Sequence, residues 1–135
     1  MRENLTPLGT ALGTYSPRHY LIAVFDDAAK ATTALHALRD AGFAESLAAI
    51  CPGPQFLANW ADFARRRGPL EKLVDRYPAE EQEVLDEYLA AAQRGASFVS
   101  VHVTEHQDII RVRDLLEPLG GHGMRYYGDL TITDL

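Results

Sequence analysis

Residues 19–25 read HYLIAVF and residues 96–103 read ASFVSVHV. Both are short apolar runs rich in aromatic and β-branched side chains, the composition of strands inside a sheet. A helix-forming segment follows each of them directly. After the first run, Asp26 and Asp27 end the strand, and Asp26 is placed to accept a hydrogen bond from the free amides of the next helix. That helix is expected over Ala28–Ala41, with Ala31, Leu35 and Leu38 at helical spacing and Gly42 as its left-handed stop. After the second run, Thr104-Glu105-His106-Gln107 matches a capping box. A helix over Gln107–Leu119 follows, with Ile109, Val112, Leu116 and Leu119 as its apolar stripe and Gly120-Gly121 at its end.

Working outward, Phe43–Cys51 reads as a second strand, closed by Pro52-Gly53-Pro54. His122–Tyr127 is a fourth strand, and Gly128-Asp129 turns the chain into a short final strand, Leu130–Thr133. Residues 55–94 form a helical insert between strands two and three. Gln55–Arg67 is helical, Gly68-Pro69 breaks it, and Leu70–Tyr77 makes a short helical turn. Pro78 then opens a helix over Ala79–Arg94, whose first turn carries Glu80, Glu81 and Glu83. Two split βαβ units of this kind predict an α+β, ferredoxin-like α/β plait. Its four-stranded antiparallel sheet has the order 4-1-3-2, two helices cover one face, and the helical insert and the short C-terminal strand are additions. The competing arrangement is a small doubly wound parallel sheet. It is disfavoured because no Gly-rich phosphate loop follows strand one and only two helices directly follow strands. Residues 1–18, with Pro7, Gly9, Gly13 and Pro17 and no periodicity, are expected to be a flexible N-terminal arm on a single domain of residues 19–135.

Two stretches resemble a known family: VFDDAAKATTALHALRDAGF, Val24 to Phe43, and GHGMRYYGDLTITDL, Gly121 to Leu135. Arg125-Tyr126-Tyr127-Gly128 followed by Thr131-Ile132-Thr133-Asp134-Leu135 is the more distinctive part. Together they are similar to the heat-induced general stress protein family of bacteria, a ferredoxin-like family. The resemblance implies a stress-linked cytosolic protein and brings no catalytic residue with it.

The chain has 135 residues, and 13 Lys+Arg against 19 Asp+Glu give a net charge of −6. This sign disfavours general nucleic-acid binding and docking on anionic lipid. No apolar run approaches the ~20 residues of a membrane span, and no secretory leader is expected at the start. One cysteine, Cys51, fits a reducing cytoplasm. Phosphate-loop, CxxC, HExxH and GxSxG motifs are all missing from the sequence.

The fold prediction makes one cluster of chemistry-bearing residues. In a plait, strands one and three are adjacent and antiparallel, so His19 and His102 fall at the same end of the sheet. With Val99, Val101 and Val103 facing the helices, Ser100 and His102 face the other way, and Arg125 and Tyr127 of strand four reach the same region. His19, Ser100, His102, Arg125 and Tyr127 are therefore the candidate ligand-binding set, for a metal, a haem or an anionic metabolite. The bland alternative is a dimer surface, or a face covered by the inserted helices. No metal-ligand set is assigned: a strand end and a helix cap separate His102 from His106. Cys51 reads as a buried apolar thiol, Arg65-Arg66-Arg67 as a solvated basic face, and Asp26 and Asp27 as capping residues. Trp60, Phe63 and Tyr88 read as core packed onto the open sheet face. The expected function is a non-catalytic, cytoplasmic, stress-associated interaction module that self-associates as a homodimer. The alternative is a small-molecule or cofactor binder, or a weak enzyme, with a cleft between the sheet and the inserted helices.

Overall fold

β1 (Tyr20–Phe25) occupies the centre of a five-stranded sheet in a computed structural model that describes residues 18–74, 79–128 and 132–135. On one side it pairs with β3 (Ser97–His102), with Tyr20 opposite His102 and Phe25 opposite Ser97. On the other it pairs with β4 (His122–Tyr127), with Tyr20 opposite Tyr127. β2 (Ala48–Pro52) adds outside β3, and β5 (Ile132–Asp134) outside β4. The order is β2-β3-β1-β4-β5, and every neighbouring pair is antiparallel. Mixed α+β architecture around an antiparallel sheet is what the sequence pattern predicts.

The two faces of the sheet carry two cores. Alternate side chains of a strand point to opposite faces. Leu21, Ala23 and Phe25 of β1 thus join Val99 and Val101 of β3 on one face, under Ala31, Ala34 and Leu38 of α1 (Ala28–Asp40) and Val112 and Leu116 of α4 (His106–Leu116). Ile22 and Val24 join Phe98 and Cys51 on the other face. Two further helices cover that face: α2 (Gly53–Val74) contributes Phe56, and α3 (Ala79–Gln93) contributes Val84, Leu85, Tyr88, Ala91 and Ala92. Both broad sides of β1 are therefore buried, which explains why HYLIAVF is an almost unbroken apolar run rather than an alternating one.

Several boundaries differ from the sequence expectation, each for a local reason. Asp27, not Asp26, caps α1: its side chain accepts from the Lys30 N–H at 2.9 Å. Glu105, not Thr104, is the N-cap of α4, and no side-chain hydrogen bond caps it. The expected strand from Phe43 begins only at Ala48, because residues Glu45–Leu47 form a 3-10 turn. Pro52-Gly53-Pro54 ends β2 but also starts α2 without a loop, since proline in the first helical turn forfeits only an amide that lacks an intrahelical partner. The same helix runs through Gly68-Pro69 to Val74. Proline's fixed φ is helical, so the ring removes one hydrogen bond without forcing the helix to end. The last three residues before Gly120 tighten into a 3-10 turn, Glu117–Leu119, and Gly120 then takes a left-handed φ of 104°. Residues 1–17 of the expected arm, the end of the Leu70–Tyr77 turn, and Asp129 with Leu130 and Thr131 at the start of the expected final strand lie outside the described residues. Among the described residues no helix is long and apolar enough to cross a membrane.

The junction of β2 and α2 depends on Gly53. A Cβ at this position would stand 2.4 Å from the Ala96 carbonyl oxygen and 3.0 Å from that of Ala92, both backbone atoms. Gly53→Ala is expected to force the end of α3 away from the start of α2 and to destabilise by about 1–3 kcal/mol, the range of overpacked sites. Urea unfolding should show a lower midpoint at an unchanged slope.

Candidate functional site

The sheet register brings His19 and His102 together. His102 is the last residue of β3 and faces Tyr20 across the ladder. His19 precedes β1, its N–H donating to the Tyr127 carbonyl at 2.6 Å and its own carbonyl accepting from the Val103 N–H at 3.0 Å. Its φ is +68°, the one positive value at a non-glycine position among the described residues. Regular alternation would send the His19 ring to the opposite face from Tyr20, and so away from His102. The left-handed backbone takes it out of that alternation. The two imidazoles stand edge to face with centroids 6.3 Å apart at 83°, and the Tyr20 ring packs against His102 with centroids 5.2 Å apart. Both histidines are half-buried.

The other three expected residues share the sheet face. Ser100 is half-buried in mid-strand, between Ile22 of β1 and Ala49 of β2. Tyr127 is buried in the core beneath the inserted helices. Arg125 acts as a clamp. Its Nε donates to Asp134 of β5 at 3.0 Å, its Nη2 donates to Glu87 of α3 at 2.9 Å, and its guanidinium lies 5.7 Å from the Tyr88 ring centroid. The side chain is only 15% exposed. Burial works to lower the pKa of this group, but Tyr88 and Glu87 more than reverse it, so the charge is held firmly. Arg125 thus ties together three elements of the fold.

Between the sheet and α2 and α3, where the cleft is expected, the described residues include three packed aromatic rings. Phe56, Tyr88 and Phe98 fill that space, with centroids 4.5 Å apart for Phe56–Phe98 and 5.2 Å for Tyr88–Phe98. Offset aromatic packing of this kind adds about 0.5–1.5 kcal/mol per pair to the area buried. The Tyr88 hydroxyl escapes the apolar layer by donating to the Gly123 carbonyl at 2.9 Å, and burial pushes its pKa up to about 12. Gly123 accepts because β4 bulges there: the register slips between Ile22 and Val24, and Gly123 adopts a φ of +56°. Trp60 packs on the same core, as expected, while the Phe63 side chain and the Arg66 and Arg67 side chains lie outside those described. Arg65 pairs with Asp62 at 2.7 Å.

Asp26, read from sequence as a cap, instead meets the imidazole of His122, Nε2 to Oδ1 at 2.8 Å. The register argument that joins His19 to His102 would have found this pair too, since Val24 lies opposite His122 across the β1–β4 ladder. Arg111 is a second unforeseen contact: it spans from Asp108 to the Ala41 carbonyl, closing the end of α1. Among the described residues no group of three or more His, Cys, Asp or Glu converges on a point. Comparison with protein-family models, curated proteins and solved structures found no match.

Two titrations check this geometry. The His122 hydrogen bond, and then its charge, hold the Asp26 carboxyl below its ordinary value of 3.8. The stabilisation this pair supplies is present above the unfolded-state pKa and is lost as pH falls through the lower folded one. Carboxyl NMR should place Asp26 below the usual range, and His122→Ala should return it there. Burial raises the Cys51 thiol to about 11. Iodoacetamide should therefore label native Cys51 slowly at pH 8 and rapidly once urea unfolds the chain, since the thiolate is the reactive form.

Proposed function

We propose that the protein is a non-catalytic interaction module on a ferredoxin-like plait that pairs with a second copy of itself through the outer edge of β2. The order in which β4, β1, β3 and β2 lie across the sheet supports the plait assignment. The resemblance of Val24–Phe43 and Gly121–Leu135 to the bacterial general stress proteins supports a stress-linked role in the cytoplasm.

The observation that carries self-association is the character of that edge. Among the described residues β2 is hydrogen-bonded to β3 alone, so its other side offers backbone donors and acceptors to an added strand. The strand reads AAICP and carries no charge. A two-fold axis brings the same strand against its copy, and here two uncharged strands meet without like-charge repulsion. The opposite edge, β5, has only three residues and includes Asp134, so two such strands would bring two carboxylates into one short contact. Leu47, an exposed large apolar side chain at 37%, flanks the β2 edge and adds area to such a contact.

A second reading is favoured by the backbone of His19. A left-handed histidine costs roughly 1–3 kcal/mol of strain, and such strain gathers at ligand sites. Under this reading the His19–His102 end of the sheet binds a small ligand, with Ser100 on the same face.

Light scattering across a wide concentration range should report a dimer. Ala49→Lys puts a charge on the exposed edge and should yield a monomer whose unfolding free energy changes by no more than about 0.5 kcal/mol. A native chain that stays monomeric at every concentration sinks the self-association reading.

A further inference from the structure

We infer that two copies joined at their β2 edges also pack α1 against α1, antiparallel, along a seam of Ala28, Thr32, Leu35 and Arg39. The inference rests on the self-association reading and adds to it which helix receives the second copy.

The helix pattern carries it. One side of α1 faces α4 and the turn after it. Lys30 Cδ lies 3.4 Å from the point that a Cβ on Gly120 would occupy, and the Ala41 carbonyl accepts from Arg111 of α4. At about 100° per residue, Ala28, Thr32, Leu35 and Arg39 stand roughly 140–200° round the helix from Lys30. Ala31, Ala34 and Leu38 lie between these two sides and enter the core. The four residues are therefore on the side away from α4. That is the side of the β2 edge, because α1 rests mainly on β2 and β3.

Their chemistry suits contact with a copy of the same helix. Spacing of i, i+4, i+7 and i+11 makes one continuous stripe. Leu35 is half-buried, and the other three are exposed. The Thr32 hydroxyl turns back into its own helix, donating to the Ala28 carbonyl at 3.0 Å, which leaves its methyl for packing. Ile50 of β2, half-buried against the same core, continues the apolar surface to the strand edge.

The symmetry of strand pairing then brings the stripe onto its copy. Two antiparallel strands joined edge to edge are related by an axis perpendicular to the sheet, so the α1 face of one copy continues into the α1 face of the other. Strands lie ~4.8 Å apart, so a helix over the β2–β3 pair stands ~5 Å from that axis. α1 and its copy come to ~10 Å, the spacing of packed helices. The axis also makes them antiparallel. Thr32 and Leu35 meet near the middle, and Arg39 at the end of one helix approaches Asp27, the N-cap, of the second copy, so opposite charges come together.

The test uses the full chain and two neighbouring exposed threonines of α1 that point in different directions. Thr32→Glu places two carboxylates in the seam and should raise the dimer dissociation constant at least about tenfold. Thr33→Glu, turned out of the stripe, should leave it within about twofold. Mixing Thr32→Glu with Thr32→Lys should restore dimers containing one chain of each, read by native mass spectrometry. Equal dissociation constants for Thr32→Glu and Thr33→Glu, or no mixed dimer, overturn the helix seam. If Ala49→Lys still abolishes the dimer in that case, pairing through β2 stands without the seam. A native chain that is monomeric throughout overturns both.

Discussion

The antiparallel pairing of β1 with β3 is the constraint on which the rest of the molecule depends. It sets Tyr20 opposite His102 and Phe25 opposite Ser97. Because side chains alternate, that register decides which residues enter which core, and a slip of one residue would exchange the two faces. Leu21, Ala23 and Phe25 go to the α1–α4 side; Ile22 and Val24 go to the α2–α3 side. The same register carries His102 to one end of the sheet, beside the residue that precedes β1.

Covering the second face has consequences for function. A plait with two helices leaves one side of its sheet exposed, and that side is a natural place for a ligand or a subunit. Here the insert closes it. Phe56 and Tyr88 come down on Phe98, Tyr88 hands its hydroxyl to the bulge at Gly123, and Arg125 holds Glu87 of α3 and Asp134 of β5 from the sheet. A buried guanidinium needs carboxylate partners, since an unpaired charge in that position is strongly destabilising. Arg125 thereby joins the insert to the sheet. The uncharged outer edge of β2 and the histidine pair at the end of β1 and β3 lie at the margins of this packing.

Element types were largely legible in the sequence, and element boundaries less so. Apolar runs mark β1 and β3 because both are buried on two faces, and Gly42, Gly95 and Gly120 mark helix ends with φ near +100°. The capping assignments failed at Asp26 and Thr104. Several neighbouring side chains can cap a helix, and which one does depends on the angle at which the preceding strand enters. The length of α2 was missed because Gly68-Pro69 is read as punctuation on local propensity, whereas a helix can absorb one lost hydrogen bond.

The candidate site divides along the same line. From the amino-acid order alone came the strands, the class of fold, the burial of Cys51 and the proximity of His19 to His102, because these follow from hydrophobic periodicity and from pairing geometry. Tertiary structure alone decided that Arg125 grips Glu87 and Asp134, that Tyr127 is buried, that aromatic rings occupy the expected cleft, and that His19 turns left-handed toward its partner. Those outcomes depend on how a helical insert docks onto a sheet. Docking is set by side-chain shape and polar satisfaction between segments distant in the chain, and no local pattern encodes it.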